Sequence, residues 1–226
     1  PNANVVLGGS GANRTLTATP ADNQYGRTTI TVAVIDGDGA STLDTFVLTV
    51  NPVNDAPTIS DIANQATNED TATAPIAFTI GDVESAASAL TVTATSSNPT
   101  LVPNTNLVLA GSGASRTLTA TPVANQFGTT TITVSVMDEA GATTSDTFAL
   151  TVNSVNDVPT ITDIADQTIN EDTPTAPLAF TIGEIETPAT ALTVTATSSY
   201  AALIPNANLV FGGSGAYRTL TATPAT

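Results

Sequence analysis

Leu90-Thr-Val-Thr-Ala-Thr-Ser-Ser97 returns unchanged as Leu192-Thr-Val-Thr-Ala-Thr-Ser-Ser199. Within it Leu90, Val92 and Ala94 alternate with Thr91, Thr93 and Thr95, which is the period of a strand with one buried face. Ile132, Val134 and Val136 alternate in the same way with Thr131, Thr133 and Ser135. Thr and Val are β-branched and suit a pleated surface. No stripe at i, i+3, i+4, i+7 is sustained anywhere, so the chain reads as all-β.

The same 102-residue offset governs the rest of the sequence. PNANVVLGGSGANRTLTATP at Pro1 becomes PNTNLVLAGSGASRTLTATP at Pro103 and PNANLVFGGSGAYRTLTATP at Pro205. Val53-Asn-Asp-Ala-Pro-Thr superposes on Val155-Asn-Asp-Val-Pro-Thr, and Asn68-Glu-Asp-Thr on Asn170-Glu-Asp-Thr, with no insertion or deletion. A period this long is a whole domain rather than a solenoid turn. For the middle repeat the alternation and the Gly, Pro, Asn and Ser turns predict strands near Thr58–Ile62, Pro75–Ile80, Leu90–Thr95, Asn106–Ala110, Arg116–Thr121, Thr130–Met137 and Thr147–Asn153. Seven short strands match an immunoglobulin-like sandwich. Phe78, Phe148 and Leu150 are expected in its core, with Phe46 and Phe180 in the neighbouring copies. Tyr25, which aligns with Phe127, is expected to pack in a loop. If a domain begins at the Pro after Val-Asn-Asp-x, residues 1–56 are the last four strands of one repeat, 57–158 a complete repeat, and 159–226 the first five strands of another. The ends then fall inside domains, and a longer array is expected. Alternatively, the incomplete tail of one chain pairs with the incomplete head of the next and builds a filament by strand complementation.

Composition narrows the chemistry. The 226 residues hold 20 Asp and Glu against four Arg (Arg14, Arg27, Arg116, Arg218), for a net charge of −16, with no Lys, His, Cys or Trp. Nucleic acid needs clustered cations and is excluded as a partner. An anionic membrane surface is disfavoured, and no apolar run approaches membrane-spanning length, so direct membrane insertion is not expected. Disulfides, thiolate and imidazole chemistry and Schiff bases are impossible. Carboxylates remain, for paired acid/base work or for a hard cation.

The run Asn51-Pro-Val-Asn-Asp-Ala-Pro57, followed by Asn68-Glu-Asp-Thr, Gly81-Asp-Val-Glu and Asp36-Gly-Asp-Gly, resembles the cadherin-like tandem repeats of very large bacterial surface and secreted adhesins. The resemblance covers the whole chain. Asn51 and Asn153 stand where the cadherin linker has Asp, and Val53 and Val155 where it has Asn. The resemblance implies Ca²⁺ bound between repeats and a stiffened array. Strand order in a seven-strand sandwich points to the same places, because acids fall in loops at both ends of each repeat. At the junction after the complete repeat, Glu69 and Asp70 would meet Asn156 and Asp157 and then Glu184 and Glu186. At the preceding junction Asn54 and Asp55 would meet Asp82, Glu84, Asp138 and Glu139. Asp36 and Asp38 would occupy the remaining entry tip. Carboxylates gathered without Lys repel, and a divalent cation compensates them. Asp61 and Asp163, and Asp44 and Asp146, recur too, and side-chain capping of a bend explains them as well as a cation does.

These readings predict a structural extracellular or cell-surface segment, an adhesin stalk or fibre, whose partners are neighbouring repeats of the same chain or further copies of it. A carbohydrate- or protein-binding adhesive module is the other binding class; Tyr200 and Tyr217 align with Asn98 and Ser115 and are expected to be exposed. Catalysis is not expected. The tempting pair Asp82 and Glu84 recurs as Glu184 and Glu186, and recurrence at each junction argues for a structural role.

Overall fold

The computed structural model describes residues 4–226. The strands are β1 (Val5–Ser10), β2 (Asn13–Ala18), β3 (Gly26–Ile35), β4 (Ser41–Val50), β5 (Thr58–Ile59), β6 (Gln65–Asn68), β7 (Ile76–Gly81), β8 (Thr91–Ser96), β9 (Leu107–Ser112), β10 (Ser115–Ala120), β11 (Gly128–Met137), β12 (Thr143–Asn153), β13 (Thr160–Ile161), β14 (Leu178–Gly183), β15 (Leu209–Ser214) and β16 (Tyr217–Ala222). The chain is all-β, as its alternation requires.

Residues 57–153 form two four-stranded sheets, ordered β5-β7-β10-β9 and β6-β12-β11-β8. Each strand turns its even or odd set inward. Ile76, Phe78 and Ile80 of β7 and Leu118 and Ala120 of β10 are buried with Ile132, Val134 and Val136 of β11 and Phe148 and Leu150 of β12. The Thr residues between them face outward, so the pattern of the sequence is the pattern of the core. The expected first strand is split: β5 pairs with β7, and β6 joins the sheet of β12. Long-range side-chain caps hold the intervening residues. Asp146 Oδ2 accepts from the Ile62 amide at 2.8 Å, and Asn64 Oδ1 accepts from the Ala149 amide at 2.8 Å.

The third copy repeats one of these sheets. The order β13-β14-β16-β15 matches β5-β7-β10-β9, and the pairs Thr160↔Gly183 and Leu178↔Leu220 are Thr58↔Gly81 and Ile76↔Leu118 shifted by the sequence period. In the first copy β1 pairs with β2 and β3 with β4, each as a two-stranded sheet. The core expectation for Phe46 is therefore corrected: it is 42% exposed, whereas its counterpart Phe148 is 2% exposed between two four-stranded sheets. Phe78 and Phe180 are buried as expected.

Two compact units divide the chain. One holds the residues up to Gln65 with Thr73–Ala120 and Thr130–Leu150; the other holds Ala66–Ala72, Thr121–Thr129 and Thr151–Thr226. Each unit carries one acidic cluster.

Candidate metal centre

In the second unit three segments meet: the turn that follows β6, the linker that follows β12, and the loop that follows β14. Backbone hydrogen bonds build the first meeting. The Glu69 amide donates to Asn153 O at 2.9 Å, and the Val155 amide donates to Glu69 Oε1 at 2.6 Å. Asp70 takes a left-handed φ of 59°, which sends its exposed side chain away from Glu69, and its Oδ1 accepts from the Asn125 amide at 2.9 Å. The third segment joins through Glu186, whose Oε2 accepts from the Asp157 amide at 2.9 Å, while the exposed Asn156 donates Nδ2 to Asp157 O at 2.8 Å. Glu184 Oε2 accepts from the Thr187 amide and shapes the loop.

These bonds consume one oxygen of Glu69, Glu184 and Glu186 and leave the other bare. Glu69 Oε2, Asp157 Oδ2, Glu184 Oε1 and Glu186 Oε1 are buried without a hydrogen-bond partner. Glu69 itself is 2% exposed. One carboxylate oxygen each from Glu69, Asp157 and Glu186 lie within 4.8 Å of one another. Oxygens that share a Ca²⁺ at about 2.4 Å stand at most about 4.8 Å apart across the ion, so this spacing fits a common shell. Burial pushes Glu184 up, but the neighbouring Glu186 carboxyl and the Thr187 amide outweigh that and hold it at about 2. The Asp157 amide pulls Glu186 down, yet the adjacent Glu184 carboxyl, burial, and the charges of Glu184 and Glu69 raise it overall.

The first unit repeats half of this geometry. The Asp55 amide donates to Glu84 Oε2 at 2.9 Å, and Asn54 Nδ2 donates to Asp55 O at 3.1 Å. Asp82 Oδ1 accepts from the Glu84 amide at 3.0 Å and the Ser85 amide at 2.6 Å, and its Oδ2 is buried without a partner. Asp138, 4% exposed, is used differently: Oδ2 accepts from Asn54 Nδ2 at 2.8 Å and Oδ1 from the Ala142 amide at 2.8 Å. The Asn54 amide holds the Asp138 carboxyl below its ordinary value, against burial and with the help of the Ala142, Gly141 and Ala140 amides. Glu139 stands exposed beside it. Asp36 Oδ1 closes its own hairpin by accepting from the Asp38 amide at 3.1 Å and the Ala40 amide at 2.8 Å, and Asp38 is exposed. Among the described residues, the carboxylates close enough to share an ion are Glu69, Asp157 and Glu186.

Sequence reading missed the amides of Val155, Thr187 and Asn125, which orient the acids; the 102-residue repeat would have flagged these positions only as parts of linkers and loops. It also misplaced Tyr25: it and Phe127 are 50% and 48% exposed, because their loop leaves both rings uncovered. Tyr200 and Tyr217 are 64% and 77% exposed, as expected.

Residues 54–151 match the family described as bacterial Ig domain. Among solved structures the chain is similar to PcdhgB3 EC1-4, with 13% identity, a TM-score of 0.54, and coverage of 100% of this chain and 57% of that one. It is also similar to the titin domains z1z2 in complex with telethonin, at 14% identity and a TM-score of 0.36, covering 77% of this chain and 85% of that one. Extracellular cadherin domains 1-4 of protocadherin gamma B7 align at 15% identity and a TM-score of 0.46, covering 100% of this chain and 57% of theirs. The chain thus spans a little over half the length of both protocadherins. No curated protein matches it. Among the described residues no helix is long and apolar enough to cross a membrane. The chain is therefore all-β with a fold similar to cadherin domains, and its residues 54–151 match bacterial Ig domains.

Proposed function

We propose that the chain is a structural extracellular repeat segment, the stalk or surface fibre of an adhesin, in which Ca²⁺ locks the segments that meet around Glu69. The observation that carries this reading is the set of bare buried oxygens on Glu69, Asp157, Glu184 and Glu186. Burying carboxylates without partners is costly, and a cation with six to eight oxygen ligands is the compensation that this residue set can hold. The protein's own contribution is orientation: Glu69, Glu184 and Glu186 each spend one oxygen on a backbone amide and keep the other free of any hydrogen bond, as is Asp157 Oδ2. Asp55, Asp82 and Glu84 are the matching candidates in the first unit. Asn54, Asp70, Asp138, Glu139, Asn156, Asp36 and Asp38 contribute linker, cap and turn geometry in this reading.

Thermal unfolding of the chelator-stripped chain tests it. Adding Ca²⁺ to about 100 times its dissociation constant is expected to stabilise the folded chain by about 2.7 kcal/mol, raising the midpoint by several degrees. A midpoint indifferent to excess Ca²⁺ and to chelator contradicts the reading.

A second reading, assembly of chains by strand complementation, is favoured by a different observation. On β3 and β4, Val34 and Phe46 are 70% and 42% exposed, whereas their counterparts Val136 and Phe148 are 0% and 2% exposed. In the complete repeat β11 is flanked by β8, through pairs such as Val136↔Val92. Residues 192–199 copy that stretch and form no strand here. Sedimentation over a concentration series is expected to show association on this second reading; a monomer at every concentration removes it.

A further inference from the structure

Arg116 and Arg218 are the same position in successive repeats of a chain that has no Lys. Each lies on a strand directly opposite a buried aromatic, Arg116 against Phe78 and Arg218 against Phe180. Residues paired across a sheet share a face, so both Arg side chains leave the sheet on the side of the core. Their guanidinium groups end on a particular carbonyl. Arg116 Nη2 donates to Ala87 O at 3.2 Å, and Arg218 Nη2 donates to Ala189 O at 3.1 Å. Arg116 also reaches the Gly111 carbonyl through Nη1 at 3.2 Å, so one planar group bridges strand β9 and the loop. Gly111 has a φ of 94°, and a Cβ there would stand 2.4 Å from Ser115 O, which makes this carbonyl's placement specific to glycine. Both Nε atoms are buried without a partner. Retaining a buried, unsatisfied donor is costly, and a cation free in solvent would avoid that cost.

The loop held in this way carries the acids. From Ala189 the backbone runs through the turn closed by the Ala191 amide on Pro188 O at 2.8 Å, back to Thr187, whose amide binds Glu184, and to Glu186, which accepts from Asp157. In the first unit the Ala89 amide closes the same turn on Ala86 O at 2.8 Å. We infer that Arg218, and Arg116 at the equivalent place, is a positioning residue for the cation site: it fixes the acidic loop so that Glu184 and Glu186, or Asp82 in the first unit, hold their bare oxygens in place. The inference rests on the Ca²⁺ reading for its function but on the loop geometry for its physical content. It also makes a signed statement. Removing a positive charge from the neighbourhood of a cation site would by itself tighten Ca²⁺ binding, whereas losing the support of its ligands weakens it.

The test uses the whole chain and two readouts. Arg218→Gln is expected to speed hydrogen exchange of the Thr187 and Ala191 amides about tenfold in chelator while the Ile182 amide of β14 keeps its protection. Calorimetric titration is expected to show its Ca²⁺ dissociation constant raised about 10- to 100-fold, the usual effect of losing an outer support of a metal ligand. Unchanged loop exchange overturns the inference, and so does Ca²⁺ bound as tightly as in the wild type or more tightly. If the loop loosens but the wild type binds no Ca²⁺, the cation reading fails and the positioning role stands. Arg218→Lys keeps charge and stem but cannot present the same planar fork. Should Arg218→Gln also deprotect Ile182, Arg218→Lys is expected to keep that sheet intact and still loosen the loop; a loop as protected as wild type overturns the inference.

Discussion

Glu69→Gln is expected to abolish the response to Ca²⁺ while leaving the metal-free chain as stable as the wild type or more so. The side chain is nearly isosteric, and its carbonyl oxygen can replace Glu69 Oε1 as acceptor for the Val155 amide, now at 2.6 Å. The other terminal atom becomes an NH₂ group at a place where oxygens of Asp157 and Glu186 lie within 4.8 Å. It donates to carboxylates that previously faced a third one, so the apo state loses repulsion and gains a charge-assisted hydrogen bond. A cation meets the opposite change, losing a charged ligand from the most deeply buried position of the cluster. Its affinity is expected to fall by about a hundredfold or more, beyond the effect of an outer-shell change. Melting curves with Ca²⁺ and with chelator should coincide for this variant and differ for the wild type. A variant that keeps the full Ca²⁺ shift would remove Glu69 from the site.

Phe148→Ala is the variant with the largest expected effect on the fold itself. Phe148 is among the largest fully buried side chains, and truncating such a ring removes about 3–5 kcal/mol through lost burial and the cavity left behind. A domain has about 5–15 kcal/mol in total, so the complete repeat would lose about a fifth of its stability or more. The chain supplies its own control. Phe46 occupies the same position one period earlier and is 42% exposed, so Phe46→Ala should cost well under half as much in the same denaturant titration. Equal losses would mean that the first copy buries its Phe as the second does.

That pair of phenylalanines marks how far sequence reaches. Alternation is a local property, and it correctly placed Phe78, Phe148, Leu150 and Phe180 on buried faces. Burial of Phe46 depends on which strands stand opposite it, and no local pattern reports that. The same limit explains β6. Gln65–Asn68 is short, with one buried edge at most, and its move to the second sheet is fixed by caps from Asp146 and Asn64 that act across more than eighty residues. Reading Asp146 as a bend cap succeeded because Asp carries that chemistry wherever a free amide is within reach.

In the acidic clusters, residue type and spacing named the segments, since Glu69, Asp157 and Glu186 were all legible as acids of linker and loop. What spacing could not rank was neighbours within a segment. Glu69 is buried and Asp70 exposed because the backbone turns to a left-handed φ between them. Asp138 lies buried near Asn54 and gives its oxygens to hydrogen bonds, whereas Asp82 keeps one oxygen bare. These distinctions are made by the partners of each oxygen, which only the fold assembles.

In the proposed function, buried, unpartnered carboxylate oxygens around Glu69 hold a divalent cation. Isothermal titration of the chelator-stripped wild-type chain with Ca²⁺ measures this directly. Saturable binding with a dissociation constant of about 10⁻⁴–10⁻³ M, the range of extracellular modules, is the expected result, and it should vanish with Glu69→Gln. A wild-type chain that shows no saturable heat up to several millimolar Ca²⁺, or one whose binding survives Glu69→Gln unchanged, contradicts the account.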